Sequence, residues 1–139
     1  MKYLHSMLRI SDLDQSLDFF CNKLGLLELK RQDYPNGRYT LVFLAAPNDE
    51  TAQIELTHNW DPEAYGSARN FGHLAYAVED IYATCQRLLD QGVVLNRPPR
   101  DGRMAFVRSP DLISIELLQL GNPLPIKEPW ISMPNIGTW

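Results

Sequence analysis

The chain of 139 residues lacks the features that mark membrane proteins and nucleic-acid-binding proteins. No apolar run approaches the roughly 20 residues that a helix needs to cross a bilayer. Positive charge is not in excess, because 13 Lys and Arg face 17 Asp and Glu, for a net charge of −4. This balance argues against a nucleic-acid surface. We therefore expect a small-molecule substrate, with neither membrane nor nucleic acid as a partner.

Cysteine is also scarce. Only Cys21 and Cys85 are present, and they lack the CxxC spacing of redox and zinc sites. Both fall in helical patterns, so we expect reduced thiols in a cytoplasmic protein. The N-terminus starts directly on a strand pattern and leaves no room for a secretion signal. With 45% hydrophobic residues, the chain has enough apolar side chains for the core of one domain.

What the sequence does contain is an internal repeat. A His followed seven residues later by an Asp opens each half, at His5 and at His73, and an amphipathic helix pattern follows. Each half then closes with the tripeptide Ile-Glu-Leu, centred on Glu55 and on Glu116. The repeat supplies two imidazoles and two carboxylates from one small chain. This is a donor set typical of a divalent metal site.

Both halves show the same order of predicted elements, β-α-β-β-β. In the first half we predict a strand over 3–10, a helix from Ser11 to Leu24, and strands over 26–31, 38–45 and 52–59. In the second half we predict a strand over 72–78, a helix over 80–91, and strands over 93–96, 104–108 and 112–119. The Asn-Gly signal within 33–37 predicts a hairpin turn.

The tail from residue 121 onward carries four prolines and two tryptophans, Trp130 and Trp139. Proline at this density excludes regular helix and sheet interior. Such a tail can be a frayed end. The two tryptophans instead favour packing against a surface, for which a partner subunit is one candidate.

Strand alternation places the polar residues of the repeat on defined faces, because side chains alternate with a period of two. His5 shares a face with Arg9, and Glu55 shares a face with Asn59. Apolar neighbours on both sides of Glu55 should point the other way, into the core. A single His or Glu in such a place is more often a surface or hydrogen-bonded residue than a ligand. The occurrence of both residue types in register in both halves favours a metal site.

The duplicated frame resembles the vicinal oxygen chelate superfamily and, within it, the glyoxalase I family, over roughly residues 1–120. The resemblance implies an α+β fold of two βαβββ modules that form an open mixed sheet or half-barrel. It implies one domain over 1–139, with module one at 1–60, a linker at 61–69, module two at 70–120 and the tail at 121–139. The matched metal ligands are His5, Glu55, His73 and Glu116.

The same motif matching implies a set of substrate-binding residues. Arg9 and Asn59 fall where the family binds the γ-glutamyl end of glutathione. Arg69 matches a further glutathione-binding arginine, and Arg97 and Arg103 stand where some members carry lysines near the glycyl carboxylate. Arginine suits this role because its forked guanidinium matches carboxylate geometry. Solvated surface charge is the alternative interpretation of Arg69, Arg97 and Arg103.

As the resemblance implies it, the activity is a metal-dependent isomerisation. The hemithioacetal of methylglyoxal and glutathione becomes S-lactoylglutathione through an enediolate, which detoxifies methylglyoxal. Glu116 is the preferred base and Glu55 the partner carboxylate. The resemblance favours Ni(II) or Co(II), with Zn(II) as runner-up, and a homodimer with its sites at the subunit interface.

One departure and several rival functions accompany this resemblance. The family usually has Pro-Asp-Gly before the last strand, whereas this chain has Leu112 at the Gly position, so we expect a different turn there. The rival enzymes are other epimerases or isomerases of the superfamily and its Fe(II) dioxygenases, and Glu55 argues against the dioxygenases. A metal-free small-molecule binding protein is the rival from a different class.

Overall fold

A computed structural model describes residues 4–66 and 71–137. These residues divide into two compact units, one within Met1–Ala68 and one within Arg69–Trp139. Each unit consists of one open, four-stranded mixed sheet and one helical segment, in the order β-α-β-β-β. The predicted α+β class and the repeated module are therefore confirmed.

In the first unit the strands are β1 (His5–Ile10), β2 (Leu27–Tyr34), β3 (Tyr39–Ala46) and β4 (Asp49–Asn59). The helical segment between β1 and β2 comprises α1 (Leu13–Leu17) and a π-helical turn (Asp18–Lys23). The sheet order is β1-β4-β3-β2, in which β1 and β4 are parallel and the other pairs are antiparallel.

In the second unit the strands are β5 (Leu74–Val78), β6 (Leu95–Arg97), β7 (Met104–Arg108) and β8 (Ser114–Gln119), with α2 (Ile81–Asp90) between β5 and β6. The sheet order β5-β8-β7-β6 repeats that of the first unit, including one parallel pair, β5 with β8. No helix in the described part of the chain is long and apolar enough to cross a membrane.

Both helical segments begin at an aspartate at the same position of the repeat. The Asp12 carboxylate accepts a hydrogen bond from the backbone N–H of Gln15 at 2.8 Å, and the Asp80 carboxylate accepts one from the backbone N–H of Ala83 at 2.9 Å. Each bond satisfies a backbone donor that has no partner within the helix. The Asp of the His-to-Asp repeat is therefore the N-cap that starts each helix.

The first helical segment differs from its prediction. It changes from α-helical to π-helical at Asp18, and the backbone N–H of Leu24 bonds to the carbonyl of Phe19, five residues earlier, at 2.8 Å. A 3.6-residue apolar pattern does not distinguish these two helix types over six residues. Both Phe19 and Phe20 are buried, so the π turn is accommodated within the core.

The turn predicted over 33–37 is also different. β2 continues through Asp33 and Tyr34, and the turn occupies 35–38. Its left-handed residue is Arg38, with φ of +53°, rather than Asn36 or Gly37. The exposed guanidinium of Arg38 donates two hydrogen bonds to the carboxylate of Asp61, which keeps the pKa of Asp61 below its usual value.

The core of each unit lies on one face of its sheet. Leu8 and Leu56 lie on that face in the first unit, and Ile115 and Leu117 lie on it in the second, all at most 4% exposed. The buried thiol of Cys85 belongs to the second core, and burial raises its pKa to about 12. Apolar residues occupy alternate strand positions, so the residues between them point to the opposite, more open face of each sheet.

Leu112 adopts the conformation that was not expected for it. Its φ is +62°, in the left-handed region, and its backbone N–H bonds to the carbonyl of Ser109 at 2.9 Å. The turn is also closed by two hydrogen bonds between Ser109 and Ile113. Leu112 thus adopts positive φ within a hydrogen-bonded turn, so the reluctance of Leu, on which the expectation of a different turn was based, does not hold here.

We predict that Leu112→Gly stabilises the protein. Left-handed backbone costs a residue with a Cβ about 1–2 kcal/mol, and the extra freedom of Gly in the unfolded chain offsets roughly half of that gain. The expected rise in melting temperature is about 2–4 °C, measured by calorimetry. Leu120→Gly is the matched control, because Leu120 is similarly exposed but has no positive φ. A fall in melting temperature for both variants contradicts the prediction.

Candidate metal and substrate site

The first candidate pair is His5 with Glu55, on the open face of the first sheet. His5 begins β1, and Glu55 lies in β4 opposite Met7. The Nε2 atom of His5 lies 3.2 Å from the Oε2 atom of Glu55. The side chain of Glu55 is only 14% exposed, and a carboxylate in such a position is costly without a cation or donors.

The second candidate pair repeats this geometry in the second sheet. His73 directly precedes β5, and Glu116 lies in β8 opposite Ala75. The Nε2 atom of His73 lies 3.1 Å from the Oε2 atom of Glu116, whose side chain is again 14% exposed. Two halves of one chain thus reproduce the same imidazole–carboxylate pair, which indicates a repeated function rather than a chance contact.

Sequence reasoning missed an aromatic member of each pair. Phe43 lies opposite Glu55 in the next strand, and its ring centroid is 5.5 Å from that of His5 in an edge-on arrangement. Phe106 lies opposite Glu116 and contacts His73 in the same way, at 5.4 Å. Edge-on contact with a ring restricts the orientation of each imidazole. The sequence shows a Phe in the next-to-last strand of each half, but it does not give the register that places each Phe opposite its Glu.

The two carboxylates differ in one respect. The hydroxyl of Thr57 donates a hydrogen bond to the Oε1 atom of Glu55 at 3.2 Å. Leu118 occupies the corresponding position of the second sheet, two residues beyond Glu116 on the same face, and it has no side-chain donor. Thr57 therefore gives Glu55 a hydroxyl donor at a position where the second sheet has an apolar side chain.

The predicted residues for the γ-glutamyl group lie on the open face of the first sheet. Arg9 is exposed and lies four residues beyond His5 in β1, and Asn59 lies four residues beyond Glu55 in β4. At the rise of a strand, four residues correspond to about 13 Å. The amide of Asn59 donates a hydrogen bond to the hydroxyl of Tyr65 at 3.3 Å.

The other three predicted substrate residues have different surroundings. Arg97 is paired with Phe106 in register and so lies on the face of Glu116. Arg103 is exposed and directly precedes β7, and alternation from Phe106 places it on the opposite face. Arg69 lies outside the described residues. The second sheet thus brings Arg97, and not Arg103, to the face of the second pair.

Lys30 is a third residue, after Phe43 and Phe106, that sequence reasoning missed. It is paired with Phe43 in register, as Arg97 is with Phe106, and each follows a register shift in its strand. Such shifts change which side chains of an edge strand reach a given face. Each sheet therefore carries Glu, Phe and a basic residue on three neighbouring strands. The irregular pairing explains why alternation read from sequence alone did not indicate Lys30.

The donors in both pairs fit a divalent metal. Imidazole nitrogen and carboxylate oxygen are ligands that Ni(II), Co(II) and Zn(II) all accept. Among residues 4–66 and 71–137, no group of three or more His, Cys, Asp and Glu side chains is placed to hold a metal. One pair supplies two ligands, which is fewer than the three or four protein ligands that such metals take.

Comparison with known proteins decides the family. The sequence profile of the Glyoxalase/Bleomycin resistance protein/Dioxygenase superfamily matches residues 2–117. The chain belongs to this superfamily. Among its relatives in the superfamily, a probable lactoylglutathione lyase of Synechocystis is 45% identical, with 86% of this chain and 95% of the relative covered. A lactoylglutathione lyase of Neisseria meningitidis is 43% identical, with 86% and 91% covered.

A solved structure agrees with these superfamily relatives. The trypanothione-dependent glyoxalase I of Leishmania major is 37% identical and superposes with a TM-score of 0.79. The comparison covers 86% of each chain. The C-terminal tail over 121–139 lies outside the part that the superfamily profile matches.

Proposed function

We propose that this protein is a lactoylglutathione lyase that isomerises the hemithioacetal of methylglyoxal and glutathione to S-lactoylglutathione. The observation that carries the proposal is the imidazole–carboxylate pair repeated on the open face of each sheet. Relatives at 38–45% identity bear the name of this activity. Methylglyoxal detoxification is the corresponding cellular role.

The reaction moves one proton between two adjacent carbons. A base removes the proton from the carbon that bears sulfur, and an enediolate forms. The same base returns the proton to the neighbouring carbon. The hydroxyl proton passes from the first oxygen to the second, which leaves a thioester and a secondary alcohol. We assign this base to Glu116, because Leu118 stands where Thr57 of the first sheet donates its hydroxyl to Glu55. Glu55, held by Thr57, is the partner carboxylate for the other side of the substrate.

We propose that His5, Glu55, His73 and Glu116 are the ligands of one divalent metal. When bound, this ion supplies a Lewis acid that favours negative charge on the substrate oxygens. Ni(II) or Co(II) is the preferred metal and Zn(II) the runner-up. Phe43 and Phe106 would keep the two imidazoles oriented for binding.

The substrate contacts follow from the strand positions. Arg9 and Asn59 bind the γ-glutamyl end of glutathione in this proposal, and Arg97 binds the glycyl carboxylate, with Arg69 and Arg103 as further candidates. A tripeptide in extended form spans about 10 Å, which is comparable with the four-residue separation of His5 and Arg9 along β1. The forked guanidinium groups suit the two carboxylates of glutathione.

The proposed assembly is a homodimer in which each metal site takes one pair from each subunit. It is supported by the shortfall of ligands in either pair alone. Module one, module two and the tail act together as one functional domain in this proposal. Two free thiols suit a reducing compartment such as the cytoplasm.

Metal reconstitution tests the proposed activity. We expect metal-stripped protein to be inactive and to regain isomerase activity, followed as thioester absorbance, with Ni(II) or Co(II) more than with Zn(II) or Mn(II). The expected increase over the stripped protein is about 100-fold or more. Glutathione and trypanothione are compared as the thiol, because the Leishmania enzyme depends on trypanothione. Tight metal binding without turnover of either adduct contradicts the proposed substrate and favours a rival enzyme. Absence of any metal binding favours a binding protein.

A further inference from the structure

The C-terminal segment (residues 121–137) packs against the second unit instead of fraying. Trp130 is only 3% exposed, and its ring stacks on that of Tyr82 in α2, with centroids 5.7 Å apart and an angle of 14°. The hydroxyl of Tyr82 also donates a hydrogen bond to the carbonyl of Pro125 at 3.0 Å, and the ammonium of Lys127 lies 4.7 Å from the centre of the Tyr82 ring. These contacts fasten the segment to α2. Trp139 lies outside the described residues.

From this anchor the segment forms hydrogen bonds with residues 96–103, which comprise the end of β6 and the connection to β7 and which we call the arginine loop. The backbone N–H of Leu124 bonds to the carbonyl of Gly102 at 3.0 Å, and that of Ile136 bonds to the carbonyl of Asn96 at 3.0 Å. The side chain of Arg100 donates to the carbonyl of Ile131 at 2.9 Å. The bonds are therefore distributed from one end of the arginine loop to the other.

The approach at Gly102 is unusually close. Gly102 has a φ of +67°, and a Cβ added there would overlap the carbonyl oxygen of Leu124. Only glycine combines this backbone conformation with this approach at low cost. The arginine loop and the C-terminal segment are thus matched in shape as well as in hydrogen bonding.

The arginine loop carries Arg97 on the face of Glu116. The guanidinium of Arg97 donates one hydrogen bond to the carbonyl of Met104 and one to the carboxylate of Asp101, the latter at 2.8 Å. Burial acts to raise the pKa of Asp101, but the bonds from Arg97 and from two backbone N–H groups outweigh it and keep the pKa below its usual value. Arg97 is therefore held within its own loop, and its position depends on the position of that loop.

We infer that the C-terminal segment is a positioning element for substrate binding, with Trp130 as its anchor. It holds the arginine loop in place from outside the sheet, so that Arg97 stays at the edge of the face that bears Glu116. A carboxylate of the substrate then meets a guanidinium that is already oriented, which lowers the entropic cost of binding. The inference rests on the proposed function, because it assigns Arg97 a carboxylate of that substrate.

The test compares Trp130→Ala with Arg97→Gln in the metal-loaded enzyme. Because Arg97 would bind a part of the substrate remote from the reacting carbons, we expect each change to raise KM about 5- to 10-fold and to alter kcat less than about twofold. The double variant should have nearly the KM of Arg97→Gln alone, since Trp130 acts through Arg97. Trp130→Phe keeps an aromatic ring at this position, so its KM should be close to that of the wild type.

Two further variants separate positioning from general stability. Leu88→Ala removes a fully buried side chain of α2 and should lower the melting temperature without raising KM. Arg100→Ala removes one exposed hydrogen bond to the segment, so we expect this variant to fold normally. It should raise KM about twofold to threefold. Effects of Trp130→Ala and Arg97→Gln that multiply in the double variant, or an equal rise in KM for Leu88→Ala, overturn the inference.

Amide hydrogen exchange provides a readout that does not need activity. Trp130→Ala should lower the protection of the arginine loop, whereas α2 and β8 should keep theirs. Unchanged protection of the loop overturns the inference, whatever the kinetics. Absence of turnover in the wild-type protein with every metal instead contradicts the proposed function, so the two failures are distinguishable.

Discussion

Glu116→Gln is expected to lower kcat for isomerisation about 10³-fold, because it removes the base while keeping an oxygen near the metal. The side chain of Glu116 is largely buried and faces Nε2 of His73, so the amide occupies nearly the same volume. The measurement is steady-state turnover of the methylglyoxal–glutathione hemithioacetal together with the metal content of the purified variant.

The metal content separates the two roles that we propose for Glu116, metal ligand and base. If Glu116→Gln loses metal in proportion to activity, loss of the ligand accounts for the result and the role of Glu116 as the base is not supported. If the variant keeps both metal and at least a tenth of the activity, the prediction is wrong. Glu79→Gln is the matched control, because Glu79 is exposed and belongs to the same unit. It should be as active as the wild type.

Mixing two inactive variants is expected to restore activity to about a quarter of the wild-type level. His5→Ala damages the first pair, and His73→Ala damages the second, so each variant alone should lose at least about 100-fold in activity. We consider a symmetric dimer in which each metal site takes one pair from each subunit. A mixed dimer of the two variants then has one site with both histidines and one site with neither. Random pairing gives mixed dimers half of the time, and half of their sites are intact.

The matched control for this experiment combines His5→Ala with Glu55→Gln. Both changes damage the first pair, so every site in the mixed dimer lacks one ligand and no activity should return. Subunits with different tags show that mixed dimers have formed. Mixed dimers of His5→Ala and His73→Ala without recovered activity would indicate that each site uses both pairs of one chain.

His58→Ala should leave activity unchanged, because His58 alternates to the opposite face from Glu55.

The candidate ligands could be predicted from the sequence because their signal is local and repeated. Alternation along a strand depends only on the backbone. The apolar Ile and Leu on either side of Glu55 and Glu116 were therefore enough to predict that both carboxylates point to the open face. The His-to-Asp spacing likewise marked a strand followed by a helix N-cap, as Asp12 and Asp80 confirm.

Phe43 and Lys30 illustrate what could not be predicted. Both reach the face of Glu55 through pairing between strands that are distant in sequence, and the register shift between Glu28 and Lys30 changes the alternation on β2. Register depends on the whole sheet and on turn geometry, which a single segment does not determine. The turn at Leu112 is a similar case, since surrounding hydrogen bonds outweighed the local preference of Leu.

By itself, the sequence determined the duplicated βαβββ frame, the strand positions of the four candidate ligands and the family to which the chain belongs, because these depend on residue type and short-range spacing. Only the tertiary structure brought each His to its Glu. Only the tertiary structure decided that an edge-on phenylalanine accompanies each pair, that Arg97 rather than Arg103 lies on the face of Glu116, and that Trp130 fastens the tail to α2. The physical reason is that these contacts join residues brought together by long-range pairing and packing, whose energies no local pattern records.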